Sequence, residues 1–168
     1  MTDEAEKDVF DQIAYRRALG GFGTGVALIA ADDAEGRSHG MIVNSLTSVS
    51  LDPPIVLWCI ANSSAALKVF TECTAFSVNI LRAGEEDLVK AFSKKGDRIL
   101  APDQICRMET GAPVLSAAVA SLDCFMRRRQ VEGDHEVIFG NVAAYRAEHG
   151  VDALGFFRGK YVTLKTGA

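Results

Sequence analysis

The sequence predicts a mainly β protein with short helices, arranged as an antiparallel barrel or sandwich. Three observations predict this class. Much of the 168-residue chain consists of short apolar runs bounded by turn-forming residues. Only three stretches carry the spacing of an amphipathic helix. Strands and helices do not alternate regularly, which argues against the parallel sheet of a nucleotide-binding fold.

The predicted helices lie in the first part of the chain. Residues 7–19 place apolar side chains at helical spacing, with acidic residues early and arginines late. A short second helix runs to Phe70 and is expected to begin at Ser63 or Ser64, because a serine oxygen accepts the free N–H groups of a first turn. Residues 85–93 form the third helix.

The predicted strands are the continuous or alternating apolar runs. They cover residues 25–31, 38–43, 55–61, 76–81 and 156–164. Later in the chain, Leu122 and Cys124 share one face of a strand with Asp123 on the other, and Val137 and Phe139 repeat this pattern. Between these regions, residues 94–113 form a long excursion, which is uncommon unless the segment is functional or carries short helices.

Composition limits the classes of function. The chain carries 24% charged residues and a net charge of −4, so it offers no general basic face for nucleic acid. Its longest apolar run, residues 55–61, is far shorter than the roughly 20 residues of a membrane span. The acidic N-terminus lacks a signal-peptide pattern. We expect one cytoplasmic domain over residues 1–168, with residues 1–8 flexible.

The four cysteines indicate no metal or redox motif. Cys59, Cys73, Cys106 and Cys124 are widely spaced and form no CxxC pair. In a reducing compartment, such residues pack as small apolar groups. We therefore predict buried free thiols and no metal site.

Three short polar segments are candidates for chemistry. Residues 44–50 can hold a phosphate or the polar edge of a planar heterocycle, or form an ordinary polar strand end. Residues 62–64 suit either an anion at a helix start or a plain cap. Residues 133–135, Gly-Asp-His, form either a hairpin turn or a loop over a pocket. Arg127–Arg129 alternate between strand faces, so they make no basic patch.

Several motifs occur in a fixed order along the chain. They are Gly40–Pro54, Asn62–Ser64, Phe76–Leu81, Ala91–Ser93, Gly133–His135 with Ile138–Gly140, and Phe157–Tyr161. With these motifs, residues 10–164 resemble the short-chain flavin reductases, the reductase components of two-component flavin monooxygenases. One departure is Ile42, where the family often has threonine. A backbone contact survives this change, but a hydroxyl contact does not.

The resemblance implies an antiparallel Greek-key split β-barrel, the FMN-binding split barrel, and a homodimer. It implies FMN or FAD as the flavin, which the motifs do not distinguish, and NADH as the reductant, with NADPH as the alternative. The implied flavin-binding residues are Ile42, Val43, Asn44, Ser45, Ser48, Val49, Ser50, Cys59, Ile60, Ala61, Asn62, Ser63, Ser64, Ala91, Phe92, Ser93, Phe157, Arg158 and Tyr161.

The resemblance also implies roles for these residues. The isoalloxazine ring would lie along Ile42–Ser45 and near Cys59–Ala61, and the serines would contact the ribityl chain and phosphate. His135 would lie beside the nicotinamide, with Asp134 supporting its loop, so these two are the candidate catalytic residues. Residues 91–93 would close over the flavin.

The implied activity is an NAD(P)H:flavin oxidoreductase. It transfers hydride from nicotinamide C4 to flavin N5 and supplies reduced flavin to a partner monooxygenase. Two alternatives remain open at this point. One is a split-barrel flavin-binding electron carrier or regulatory dimer without rapid NADH turnover. The other is a non-enzymatic interaction domain.

Overall fold

The computed structural model describes residues 10–93 and 98–167. Within these residues the chain forms three helices, twelve strands and one 3₁₀ turn at Pro102–Gln104. The helices are α1 (Gln12–Leu19), α2 (Leu67–Glu72) and α3 (Glu86–Ser93). The strands are β1 (Thr24–Gly25), β2 (Ala27–Asp32), β3 (Ser38–Val43), β4 (Thr47–Leu51), β5 (Pro54–Ala61), β6 (Ala75–Ile80), β7 (Ile105–Arg107), β8 (Pro113–Leu115), β9 (Ala120–Glu132), β10 (His135–Ala147), β11 (Ala153–Phe157) and β12 (Lys160–Leu164).

A seven-stranded sheet with the order β3-β2-β6-β9-β10-β5-β4 dominates the fold. A three-stranded sheet, β1-β11-β12, and the β7-β8 pair accompany it. Every ladder between these strands is antiparallel. The mainly β, antiparallel prediction is therefore confirmed.

Three backbone hydrogen bonds attach the small sheet to the large one. Val26 N–H donates to Leu154 O at 3.0 Å, and Leu154 N–H donates to Leu81 O at 2.9 Å. Leu81 N–H in turn donates to Val26 O at 3.0 Å. Because all three residues are also buried, this junction is fixed by packing as well as by hydrogen bonding.

The core has two parts, one on each face of β2. Ala27 and Ile29 face a cluster in which Trp58 packs edge-on against two phenylalanine rings. Leu28 and Ala30 face a second cluster that includes α3. A strand that is buried on both faces reads as a continuous apolar run rather than as an alternating one. This explains why the sequence identifies β2 so clearly.

Two predicted helices start later than expected. The first begins at Gln12 because the Asp11 carboxylate caps it, accepting from Ile13 N–H at 2.8 Å and Ala14 N–H at 3.0 Å. The predicted start at residues 7–9, like the expected flexibility of residues 1–8, lies outside the described residues. The α2 helix begins at Leu67, and neither Ser63 nor Ser64 caps it; Ala66 occupies that position without a side-chain bond.

The last predicted strand is wrong as a single element. Residues 156–164 contain a turn at Arg158–Gly159 that folds the segment into the β11–β12 hairpin. Both turn residues have positive φ, 48° and 78°, as a type I′ turn requires. In β10, Val137 and Phe139 share a half-buried face, and Ile138 lies on the buried one.

The long excursion carries short elements rather than a bare loop. Its described part contains the 3₁₀ turn and β7, and β8 begins at its end. Asp123, predicted to lie opposite the core face, is buried and accepts hydrogen bonds from Thr110 N–H and Thr110 Oγ1. No helix within the described residues is long and apolar enough to cross a membrane.

Candidate active site

One cavity gathers most of the residues predicted for the site. It has a volume of about 380 Å³ and is called the β3–β5 cavity below. Its lining residues are Met41, Ile42, Val43, Asn44, Ser45, Cys59, Ile60, Ala61, Ser64, Phe92, Ser93, Arg98 and His135. They come from the end of β3, the end of β5, the end of α3 and the start of β10.

The cavity lies where the large sheet closes on itself. β3 is one edge of the sheet, and β5 lies next to the opposite edge. Only residues 44–46 separate β3 from β4, which is the opposite edge of the sheet, and Ser45 in this link continues the β4–β5 register with its Oγ accepting from Cys59 N–H at 3.0 Å. The sheet therefore curls into a barrel, and the cavity occupies the seam between its two sides.

Register and a hydrogen-bonded turn place His135 at the cavity. In the β5–β10 ladder, His135 pairs with Ala61. Asn62, the next residue, donates from its backbone N–H to Asp134 O at 2.9 Å and from Nδ2 to Gly133 O at 3.3 Å. The Gly-Asp-His turn is thereby attached to the end of β5. Asn62, predicted to bind flavin, contacts this turn instead and is outside the cavity lining.

Asp134 orients the imidazole of His135. The His135 Nδ1 and Asp134 Oδ1 atoms are 2.7 Å apart. The hydrogen bond and the charge of His135 lower the pKa of Asp134, so this carboxyl is ionised and can only accept. Nδ1 is therefore the donor in this pair. In a neutral imidazole, Nε2 is left as a hydrogen-bond acceptor.

Close packing forms the wall contributed by α3. A Cβ placed on Gly40 of β3 would lie 2.7 Å from Cε1 of Phe92, so only glycine lets this ring approach the strand. Gly40 N–H also donates to Arg98 O at 2.8 Å. This one position thus fixes both Phe92 and the backbone of Arg98 at the cavity.

The sequence analysis missed Met41 and Arg98. Met41 directly precedes the predicted flavin-binding segment, which begins at Ile42. Arg98 lies in the long excursion, and the sole signal was a basic residue in a segment of unusual length. Arg98 is the one arginine among the lining residues, which also include polar side chains such as Asn44 and Ser93.

The Cys59 side chain lies at the cavity, but its thiol is not activated. Burial raises its pKa, and the hydrogen bond with Ser45 opposes this only in part. A thiol with a raised pKa is protonated at neutral pH and is a poor nucleophile. Cys59 therefore contributes shape and a small apolar surface.

The cavity suits a planar heterocycle with one polar edge. Its walls include the apolar side chains of Met41, Ile60 and Phe92. Among the described residues, the N–H groups of Asn44 and Ser45 belong to neither adjacent strand ladder and donate to no other backbone group. Apolar walls with a few oriented donors are typical of cofactor sites, whose volumes are about 300–1,000 Å³. The residues present therefore fit an isoalloxazine ring.

Several predicted residues lie away from this cavity. Ser48, Val49 and Ser50 belong to the edge strand β4, and Ser63, Ala91 and Phe157 are exposed and outside the lining. Tyr161 lines a smaller cavity of about 130 Å³, which shares Ile42, Val43 and Asn44 with the larger one. Arg158 lines a separate cavity beside α1. The flavin-binding roles of these residues remain predictions.

A larger cavity, of about 650 Å³, contains none of the predicted site residues. Its most buried carboxylate, Asp33, already accepts from Arg37 N–H at 2.8 Å and from Arg37 Nε at 2.7 Å. His39 Nε2 lies 2.7 Å from the same carboxylate. Asp33, Arg37 and His39 therefore bind one another at this cavity.

Comparison with known proteins supports the same family as the fold and the cavity. Residues 19–165 match the family model described as Flavin reductase like domain. A protein named "Probable flavin reductase" from Rhizobium meliloti (strain 1021) is 39% identical over 157 residues, 93% of this chain and 50% of that protein. The FMN reductase (NADH) SmoA of Agrobacterium fabrum is 40% identical over 136 residues, 81% of this chain and 76% of that protein.

A solved structure shows the same architecture. The NADH:FAD oxidoreductase SgcE6 of Streptomyces globisporus C-1027, in complex with NAD and FAD fragments, superposes with a TM-score of 0.80 at 31% identity. The match covers 90% of this chain and 92% of that one. The chain therefore belongs to the flavin reductase-like domain family, and its fold is the antiparallel split barrel. It spans half the length of the Rhizobium meliloti relative.

Proposed function

We propose that this chain is an NAD(P)H-dependent flavin reductase that supplies reduced flavin to a partner monooxygenase. One observation carries the proposal. A single cavity joins apolar walls, free backbone donors at Asn44 and Ser45, the Arg98 cation and an oriented His135. The similarity to an FMN reductase (NADH) and to an NADH:FAD oxidoreductase supports the same activity.

The residues of the β3–β5 cavity hold the flavin in this proposal. When bound, the flavin supplies the redox chemistry by accepting a hydride from nicotinamide C4 at its N5. The Asn44 and Ser45 N–H groups lie where they can stabilise negative charge at the polar edge of the ring. Phe92 and Ile60 exclude water from its faces. Ser64 and Arg98 provide a hydroxyl and a cation for the phosphate end.

His135 aligns the nicotinamide and performs no acid–base step. Hydride transfer needs two stacked rings with reacting atoms about 3–3.5 Å apart, so positioning is the protein's main task. With Nδ1 held by Asp134, His135 presents Nε2 as a hydrogen-bond acceptor. A carboxamide N–H is a suitable donor to that atom.

We infer that the active form is a cytoplasmic homodimer with FMN or FAD and NADH as its nucleotides. Large apolar side chains are exposed on one side of α1 and beside it, which favours burial against another chain. They are Phe10, Tyr15, Leu19 and Phe22, each at least half exposed. Tyr15 and Leu19 are four residues apart and so share one face of the helix.

Nicotinamide consumption in air tests the proposed activity. The purified chain is mixed with NADH and either FMN or FAD, and absorbance at the nicotinamide band is followed. We expect consumption that depends on flavin. A bound flavin spectrum without consumption would indicate an electron carrier, and neither signal would indicate an interaction domain; both outcomes contradict the proposal.

The variant His135→Ala tests whether His135 aligns the nicotinamide. We expect weaker NADH binding and a moderate loss of reduction rate, because other contacts share the alignment. The affinity for FMN should change less than the affinity for NADH, because His135 is one of many residues that line the flavin cavity. If neither NADH affinity nor rate changes, His135 has no role in alignment.

A further inference from the structure

A second cavity, of about 630 Å³, lies between the end of α1 and the β11–β12 turn. Its lining residues are Ile13, Arg16, Arg17, Ala18, Gly20, Gly21, Arg158 and Gly159. We call it the arginine cavity. None of these residues lines the β3–β5 cavity, so the flavin site does not account for them.

Three arginine side chains from two separate elements meet at this cavity. Arg16 and Arg17 lie in the last turn of α1, and Arg158 lies in the hairpin turn. Within residues 10–93 and 98–167, none of the three forms an ion pair with a carboxylate. The chain as a whole has a net charge of −4. Three arginines that line one cavity, with no carboxylate at ion-pair distance among the described residues, form a surface that an anion would stabilise.

The backbone at Arg158 gives a second, independent indication. Its φ of 48° is in the left-handed region, where a side chain is disfavoured and Asn or Gly is the usual choice in this turn type. Arg158 N–H donates to Gly20 O at 2.8 Å, which holds the turn against the end of α1. An arginine at a position suited to asparagine points to a function for its guanidinium group.

Arg16 and the β11–β12 hairpin link the arginine cavity to the proposed nicotinamide position. The hydrogen bond and charge of His135 lower the pKa of Asp134 most, and the nearby Arg16 charge lowers it further. Arg16 is therefore close to the turn that carries His135. From the other side, the β11–β12 hairpin also carries Tyr161, which lines the small cavity next to Asn44.

We propose that the arginine cavity binds phosphate groups of the nicotinamide dinucleotide whose ring lies at His135. This inference rests on the proposed function. Guanidinium groups bind phosphate oxygens through paired N–H donors, and three of them suit a multiply charged group. The phosphates are the pyrophosphate shared by NADH and NADPH, or the 2′-phosphate that only NADPH carries.

Calorimetric titration of the flavin-free protein tests the site without turnover. The probes are ADP-ribose and ADP-ribose 2′-phosphate. The variants are Arg16→Gln, Arg17→Gln, Arg158→Asn and the triple variant. We expect affinity to fall about tenfold for each lost charged contact. Equal losses for both probes indicate the pyrophosphate, and a larger loss for the 2′-phosphate probe indicates that group.

Two controls separate binding from folding. Arg158→Asn should leave the melting temperature unchanged or raise it, because asparagine suits the turn. Arg127→Gln removes an exposed arginine that donates to Asn141 Oδ1 at 3.0 Å and lines neither cavity, and it should not alter binding. If the triple variant binds both probes as tightly as the wild type, or the wild type binds neither, the proposal is overturned.

Turnover then distinguishes this inference from the proposed function. If the wild type consumes NADH and the triple variant keeps the same KM for NADH, the phosphate site is wrong and the reductase function stands. If the arginines bind ADP-ribose but no flavin-dependent NADH consumption occurs, the reductase function is wrong. We expect a raised KM for NADH with an unchanged Kd for FMN.

Discussion

At the scale of single residues, Gly40 controls the shape of the β3–β5 cavity. It admits the Phe92 ring on one side and binds the backbone of Arg98 on the other. A methyl group here cannot be accommodated without moving the ring or the strand. Gly40 of strand β3 therefore contacts both helix α3 and the long excursion at the cavity.

Gly40→Ala should reduce both stability and flavin affinity. Overpacking of this kind costs about 1–3 kcal/mol of unfolding free energy, and displacement of Phe92 alters the cavity wall. Urea unfolding and FMN titration measure the two effects. Gly25→Ala is the matched control, since a Cβ there meets nothing within 4 Å. Equal stability and FMN affinity in Gly40→Ala and the wild type would contradict the packing described.

Asp134→Ala should impair NADH binding without affecting flavin. The substitution removes the acceptor that holds His135 Nδ1, so the imidazole loses its fixed orientation. We expect a severalfold increase in the Kd for NADH, measured by stopped-flow reduction, with an unchanged Kd for FMN. Asp134→Asn should restore most of the affinity, because the amide oxygen also accepts. An equal loss of affinity in both variants would show that orientation is not the role of Asp134.

At the scale of elements, Asn79 attaches strand β8 to the large sheet. It is fully buried in β6, where its Nδ2 donates to Leu28 O at 3.1 Å and to Ser77 Oγ at 2.8 Å. Its Oδ1 accepts from Leu115 N–H at 3.0 Å. Because β8 follows the excursion that contains Arg98, this side chain anchors that segment where it rejoins the sheet.

Asn79→Ala should destabilise the fold strongly. It leaves buried backbone groups of β2 and β8 unpaired, and each unsatisfied group costs about 1–3 kcal/mol. Equilibrium unfolding in urea measures the loss. Asn141→Ala is the control, because the Asn141 side chain accepts from the exposed Arg127 rather than from a buried backbone group. A loss no greater than that of the control would contradict this role for Asn79.

The sequence predicted elements best where burial leaves a clear pattern. Strands β2 and β5 are continuous apolar runs because both of their faces are largely buried or half-buried. The end of the chain was predicted poorly, because an arginine occupies a turn position where asparagine is expected. The burial of Asp123 was not predicted, because it depends on a partner, Thr110, that lies 13 residues earlier in the chain.

The site was predictable as separate segments but not as a unit. The family resemblance implied that residues 42–45, 59–61 and His135 lie near one another, and all of these residues line one cavity. Arg98 has no local signal, because its place depends on a backbone bond to Gly40. Asn62 binds the Gly-Asp-His turn because β5 pairs with β10. The composition of the sequence does not reveal this pairing.

At the scale of the whole molecule, barrel closure creates the site. The short link at residues 44–46 joins two edges of the sheet that are remote in strand order. The β3–β5 cavity lies at this seam, and the arginine cavity lies beyond the β11–β12 hairpin. In α1, Arg17 lies opposite the exposed apolar pair Tyr15 and Leu19 around the helix, and Arg16 lies between these two faces. One helix can therefore serve a ligand and a second copy of the chain.

Light scattering coupled to gel filtration should show a dimer of the 18.0 kDa chain. Tyr15→Ser combined with Leu19→Ser should shift the equilibrium towards the monomer, because the two substitutions remove apolar surface whose burial favours association. Leu164→Ser, on another exposed surface, is the control. A wild type that stays monomeric at all concentrations would contradict the proposed homodimer.

The central claim is that the β3–β5 cavity is the flavin site, and amide hydrogen exchange with and without FMN tests it most directly. We predict that FMN slows exchange at residues 41–45, 59–64 and 91–93, which border the cavity. Residues 32–37, beside the larger cavity, should not change. Unchanged exchange at the first three segments, or protection confined to residues 32–37, would contradict the claim.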